Sequence, residues 1–183
     1  MDLKDKVPPH NLDAEQATLG AILFDSAAIS EIATILRPDR FYSFQNQLIY
    51  EAMLSLYKQN VAIDMLSLIN ELTKQGKLEQ AGGNAYIADL TNTVATSANI
   101  NYYVDIILDQ ATRRDLIRLS SDVRASAFDE THNSKVLLEQ AEKKIFNLSE
   151  NNETSRIYGM KDVISSTIEI IDQRYKNSGG LTG

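Results

Sequence analysis

Between Asn99 and Phe128 the sequence contains neither glycine nor proline, and this stretch limits the fold more than any other. The two residues that most readily interrupt a helix are missing from it. Apolar side chains recur there at helical intervals: Ile100, Tyr103, Val104, Ile107, Leu108 and Ala111, then Leu116, Leu119 and Val123. Such recurrence predicts one continuous helix, roughly 40 Å long at the usual rise per residue. That is longer than a small helical bundle is wide.

Upstream the same period returns in shorter pieces. Pro8-Pro9 makes a stiff extended entry, and Asn11 or Asp13 can cap a first helix to about Asp25, with Leu19, Ile22 and Leu23 inward and Gly20 allowing a close neighbour. Asp25 is a cap for a second helix with Ile29, Ile32, Ala33 and Leu36, stopped by Pro38. Ser43 starts a third to about Gln59, with Phe44, Leu48, Ala52 and Leu56 on one side. Asp64 caps a fourth carrying Leu66, Ile69 and Leu72, and Gly76 ends it. After Gly82-Gly83 a short fifth helix carries Tyr86, Ile87 and Leu90. Five short helices with tight connections predict a compact bundle over residues 1–98.

Downstream of the long helix, a polar turn from Asp129 to Asn133 leads to another helix, for which Ser134 is the expected cap. Its positions Leu138, Ala141, Ile145 and Leu148 fall at spacings of three, four and three, a coiled-coil seam. Residues 99–149 are therefore expected to form a projecting helical hairpin. Residues 150–160 read as a flexible linker, because Glu150 to Ser155 is almost wholly polar. A last amphipathic helix is expected over 161–177, with Ile164, Ile168, Ile171 and Tyr175 on one face. Ser178-Gly179-Gly180 opens a second linker at 178–183. The predicted fold class is all-α: a compact helical bundle, a projecting two-helix hairpin and a separate C-terminal linker helix. No internal repeat or low-complexity tract occurs.

Two parts of this plan lack cover. A two-helix hairpin offers each helix one contact surface, yet both helices carry wide apolar stripes, and exposed stripes mark interfaces. Self-association through Leu116, Leu119, Val123, Leu138, Ala141, Ile145 and Leu148 is the expectation, with folding back onto the bundle as the alternative. The last helix is short, tethered and rich in β-branched residues, so it is marginal alone. It is expected to dock through Ile164, Ile168, Ile171 and Tyr175 on its own or another chain.

Chemistry is sparse. No cysteine is present, which removes disulfides, thiolate metal sites and cysteine nucleophiles. His10 and His132 sit far apart in apparent loops and read as surface residues rather than a metal pair. No HExxH, GxSxG, GxGxxG or GxxxxGK[ST] pattern occurs, and no Lys-Ser/Thr follows Gly82-Gly83. Asp13 and Glu15 point to different helix faces and read as helix-start carboxylates favoured by the macrodipole. Neither a catalytic residue nor a bound cofactor or metal is therefore expected. The formal net charge of -7 opposes a phosphate-gripping surface. Arg113, Arg114 and Arg118 form the densest basic patch, but Asp109, Asp115 and Asp122 lie at helix spacing to pair with them. Tyr86, Tyr102 and Tyr103 suit packing better than base stacking. No apolar run approaches the roughly 18 to 20 residues needed to span a bilayer, and Met1 to Pro9 lacks a signal-peptide core. A cytoplasmic protein without membrane contact is expected.

The residues themselves carry more than the helix plan. Pro8-Pro9-His10-Asn11-Leu12-Asp13-Ala14-Glu15-Gln16 followed by Leu19-Gly20-Ala21-Ile22-Leu23 resembles the opening of DnaB-type replicative helicases. Phe41-Tyr42, Leu48-Ile49-Tyr50-Glu51-Ala52-Met53, Ile63-Asp64, Gly82-Gly83 with Tyr86-Ile87 and Leu90, and Ala98-Asn99-Ile100 with Tyr103 resemble that family's later signatures, in order. So do Ala141-Glu142 with Ile145-Phe146, and Gly180-Leu181-Thr182-Gly183.

The resemblance implies a hexameric, ATP-driven motor moving 5′ to 3′ on single-stranded DNA, of which this chain is the non-catalytic N-terminal collar and linker. In that family the N-terminal domains pair through their hairpins into a trimer of dimers that receives primase, and the linker helix packs on the neighbouring ATPase domain. A helicase loader is a further candidate partner. Asp13 and Tyr86 are candidates for partner-facing surface, with Tyr86 equally readable as core. ATP, Mg2+ and most single-stranded DNA contact would belong to the ATPase domain, expected to follow Gly183 with its GxxxxGK[ST] motif, so this stretch alone should be inactive. Two rivals are a stand-alone helical nucleic-acid-binding domain and a small metal-dependent hydrolase.

Overall fold

In the computed structural model, residues 6–94, 96–129, 131 and 133–150 are described, and the expected linker helix with Ile164, Ile168, Ile171 and Tyr175 lies outside them. Every regular element among the described residues is helical. They are α1 (Leu12–Phe24), α2 (Ile29–Ile32), α3 (Phe44–Lys58), α4 (Met65–Lys74), α5 (Gly83–Leu90), α6 (Ile100–Ala127) and α7 (residues 134–150). Two compact units result, Met1–Arg118 and Leu119–Gly183, so about the first two thirds of α6 belongs with the bundle.

Side-chain caps set most helix starts. The Asn11 side chain accepts from Ala14 N at 2.9 Å, which chooses Asn11 over Asp13. Asp25 accepts from Ala27 N at 3.0 Å and opens a 3₁₀ turn, Ser26–Ala28, that leads straight into α2. Ser43 caps α3. Asp64 and Ser67 bond each other's backbone N–H at 2.8 and 2.9 Å, a reciprocal box opening α4. The cap of α7 differs from expectation: the Asn133 side chain accepts from Lys135 N at 2.9 Å, and Ser134 is already helical.

In the first unit α1, α3, α4 and α5 close around Leu19, Ile22, Ile49, Met53, Leu68, Leu72 and Ile87, all fully buried. The 3₁₀ turn, α2 and the loop beyond it add Ile29, Ile32 and Leu36. Ile100, Val104, Ile107 and Ala111 of α6 are buried as well. Phe44 and Leu66, placed by periodicity among the inward positions, are 59% and 69% exposed. Phe44 is the first residue of α3, and Leu66 lies about 160° round α4 from the buried Leu68. Gly20 sits where α1 meets the end of α5, and a Cβ there would lie 2.6 Å from the Leu90 carbonyl oxygen and collide with Thr93 Oγ1. Only a glycine lets the two backbones come this close.

Candidate functional site

Glu15 falls on the buried stripe of α1, with Thr18, Leu19 and Ile22. A lone carboxylate there would be costly, and the chain surrounds it with donors. Its Oε1 accepts from Tyr42 N at 2.5 Å, and Oε2 accepts from Ser43 N at 3.2 Å and Asn46 Nδ2 at 2.8 Å. Two of these donors are backbone groups at the start of α3, where the helix dipole also favours a negative charge. Asn46 Oδ1 in turn accepts from the Tyr86 hydroxyl at 2.7 Å, and the Tyr86 oxygen accepts from Gln16 Nε2 at 3.2 Å. The chain Gln16–Tyr86–Asn46–Glu15 ties α5, α1 and α3 together, and among the described residues no buried side-chain polar atom is left unpaired. Such a fully satisfied network fixes helix positions. It offers no acid–base couple.

Beside it, Arg114 of α6 reaches over the entry segment. Its Nη1 donates to Pro9 O at 2.8 Å and its Nη2 to Arg40 O, and its guanidinium lies 5.9 Å from the centre of the Tyr42 ring. Burial pushes the Arg114 guanidinium below its ordinary value, opposed by the negative charges of Glu15 and Asp115. The His10 ring stacks on Tyr42 with centroids 4.4 Å apart and an interplanar angle of 17°. His10 is thus engaged in packing, and His132 lies outside the described residues. Among the described residues no acidic, histidine or cysteine cluster could hold a metal ion.

Apart from Arg114, which is held by the Pro9 and Arg40 carbonyls, the arginines that might have met phosphate have carboxylate partners. Arg113 pairs with Asp109 at 2.8 Å, Arg40 with Asp115 at 2.5 Å, and Arg118 with Asp115 at 3.8 Å. Arg37 forms a forked pair with Asp39, whose carboxyl is held below its usual range chiefly by that contact. Asp122 pairs with Lys144 of α7 rather than with an arginine of its own helix.

The candidate association residues separate by exposure. In the first unit Leu116 is half exposed. In the second, Leu119 is buried, Ala141 and Leu148 are half-buried beside Leu137, and Val123, Leu138 and Ile145 are exposed. Phe128, Val136 and Phe146 add further exposed apolar surface to this unit. Of the two candidate partner-surface residues, Asp13 is exposed, whereas Tyr86 is half-buried with its hydroxyl committed to the Asn46 network. Sequence reading assigned Glu15 to the helix dipole and missed its burial. Its place three, four and seven residues before Thr18, Leu19 and Ile22 was the available signal. No helix of the described residues is long and apolar enough to cross a membrane.

Comparison with known proteins follows the same outline. The family model for the DnaB-like helicase N-terminal domain matches residues 7–109. The replicative DNA helicase DnaB of Treponema pallidum is 36% identical over 182 residues, which is 100% of this chain and 42% of that protein. The chain therefore spans well under half the length of that curated relative. The crystal structure of the N-terminal domain of DnaB helicase from Mycobacterium tuberculosis is similar with a TM-score of 0.72 and 32% identity, covering 78% of this chain and 99% of that one. The N-terminal domain of DnaB helicase from Helicobacter pylori, described with its interactions with primase, shares the fold at a TM-score of 0.54 and 24% identity, over 63% of this chain and 89% of that one.

Proposed function

This chain belongs to the DnaB-like helicase N-terminal domain family, and from that premise we propose that it is a non-catalytic collar module that joins helicase subunits and receives primase during DNA replication. The observation that carries the reading is the apolar surface left open on the second unit, with Leu138 61%, Ile145 56% and Phe146 61% exposed. Exposed apolar side chains of this kind, Leu138 and Ile145 on one face and Phe146 farther round, favour association with another polypeptide. A second copy covers them, giving a dimer through the hairpin residues Leu116, Leu119, Val123, Leu138, Ala141, Ile145 and Leu148, and a trimer of dimers in the complete hexamer.

Primase docks on the collar so formed, in line with the interaction described for the Helicobacter pylori domain, and Asp13 is the candidate contact that stands in solvent. A helicase loader is a further candidate partner. ATP and magnesium, and with them the 5′ to 3′ unwinding of DNA, belong to a separate ATPase domain, on whose neighbouring copy Ile164, Ile168, Ile171 and Tyr175 dock. The setting is the cytoplasm, where the chromosome is copied. The paired arginines support a partner other than the DNA backbone at this surface.

Sedimentation equilibrium tests the reading. The parent chain is expected to self-associate, and a Leu138→Asp/Ile145→Asp double variant to sediment as a monomer with unchanged helical circular dichroism. A parent chain that stays strictly monomeric at high concentration overturns the association role. Calorimetric titration with primase tests the second role, which fails if an associating collar shows no binding.

A further inference from the structure

Residues 7–10 cross the first unit as a strap, and among the described residues no backbone–backbone hydrogen bond holds them. Side chains from elsewhere do. Pro9 O accepts from Arg114 Nη1, and the His10 ring lies flat on Tyr42. His10 Nδ1 is 2.7 Å from Pro8 O, and because a carbonyl can only accept, the ring proton sits on Nδ1 and fixes the ring's angle. The second branch of Arg114 donates to Arg40 O, while the Arg40 side chain returns to Asp115, the next residue of α6. Strap, Pro38–Arg40 turn and α6 therefore meet at one guanidinium.

A flexible lysine could not serve three pieces in this way, since the fork of a guanidinium sets two donors at a fixed angle. If the strap leaves, the Arg114 Nη1–H exchanges a fixed carbonyl for mobile water, and the guanidinium loses one of the two contacts that set its plane. The loosened side chain then holds the α6 turn that carries it, and the turn at Arg40, less firmly.

We propose that Arg114 is a latch that couples seating of the N-terminal strap to the order of α6, so that whatever draws the strap away is felt along the Ala111–Arg118 turns. A passive strap, held and released without consequence, is the alternative.

Amide hydrogen exchange on the whole chain separates the two. Deleting residues 1–9 removes the Pro9 carbonyl and is expected to speed exchange at residues 111–118 and 40–42 by about tenfold, while α4 amides stay unchanged. Arg114→Lys should speed the same amides and also shift the His10 ring protons toward their free positions as the stack on Tyr42 loosens. Arg113→Ala, which breaks an exposed pair of the same helix, should do neither. Exchange at 111–118 that ignores the deletion overturns the latch, as does an unshifted His10 resonance in Arg114→Lys. Should Arg114→Lys fail to fold, His10→Ala replaces it and removes the stack on Tyr42 and the Pro8 contact while leaving Arg114 in place. It is expected to speed exchange at 40–42 and 111–118 in the same pattern, and no change at either would overturn the proposal.

Discussion

Removing the Glu15 carboxylate should cost more stability than any other single change to a polar side chain of the bundle. Its two oxygens serve three donors, Tyr42 N, Ser43 N and Asn46 Nδ2, and the residue is only 2% exposed. Each buried donor left unmade costs about 1–3 kcal/mol. Some of that is recovered as Asn46 turns and water enters, while Arg114 loses a compensating charge. The balance for Glu15→Ala is about 3–5 kcal/mol, the range found when one partner of a buried charged network is deleted. Glu15→Gln keeps the shape but presents one acceptor oxygen and an NH2 group that faces donors, so about 1.5–3 kcal/mol is expected. Urea unfolding followed by circular dichroism, at one fixed protein concentration because association also stabilises, reads both. With a slope of about 1–3 kcal/mol per molar, the alanine variant should unfold at about 2 M less urea and the glutamine variant at about 1 M less. An alanine midpoint within about 0.3 M of the parent would refute the network argument. So would a glutamine variant less stable than the alanine one.

Gly20→Ala gains about 1 kcal/mol of helix propensity but places a Cβ 2.6 Å from the Leu90 carbonyl oxygen. Overpacking of about 1–3 kcal/mol should win, lowering the melting temperature by several degrees, and Thr93→Ala should not fully rescue it because the Leu90 backbone remains. Glu71 is held below the ordinary glutamate range, first by the hydrogen bond from Gln75 and then by Ser55, with Lys74 adding to them against burial. A depressed folded value means that this stabilisation is full above the ordinary carboxylate range and is lost as the pH falls through the folded value. Urea midpoints measured across the acid limb should therefore fall less steeply in Glu71→Gln than in the parent, and identical limbs would contradict the assignment.

Local rules made much of the fold legible. Asn11, Asp25, Ser43 and Asp64 are caps because short polar side chains reach the orphan N–H groups of a first turn, a relation contained within four residues. The continuous helix after Asn99 follows from the missing breakers just as directly. What stayed hidden depends on distance along the chain. Glu15 is stabilised by residues 27 to 31 positions away, and Arg114 meets a carbonyl 105 positions away, so neither role leaves a local pattern. Phe44 shows the converse failure: an apolar residue within about 40° of the buried Leu48 stays exposed at the first position of α3.

The apolar pattern of α7 explains why a seam read from sequence is ambiguous, and why the ambiguity itself carries information. At about 100° per residue, Leu138 and Ile145 lie within about 20° of one another, and Ala141 and Leu148 likewise. The two pairs are about 60° apart on the helix. One pair is half-buried and the other exposed, so a sequence of spacings three, four and three spans two faces rather than one. A helix that had only to pair within its own unit would need the first face alone, with polar residues on the second. Keeping leucine and isoleucine on that second face, followed by Phe146 farther round, costs solubility unless something covers them. The excess width of the stripe, more than its heptad spacing, is therefore what argues for a second copy. The prediction is specific: polar substitution at Leu138 and Ile145 should dissolve the association while sparing the helix, whereas the same change at Ala141 or Leu148 should unfold the unit as well.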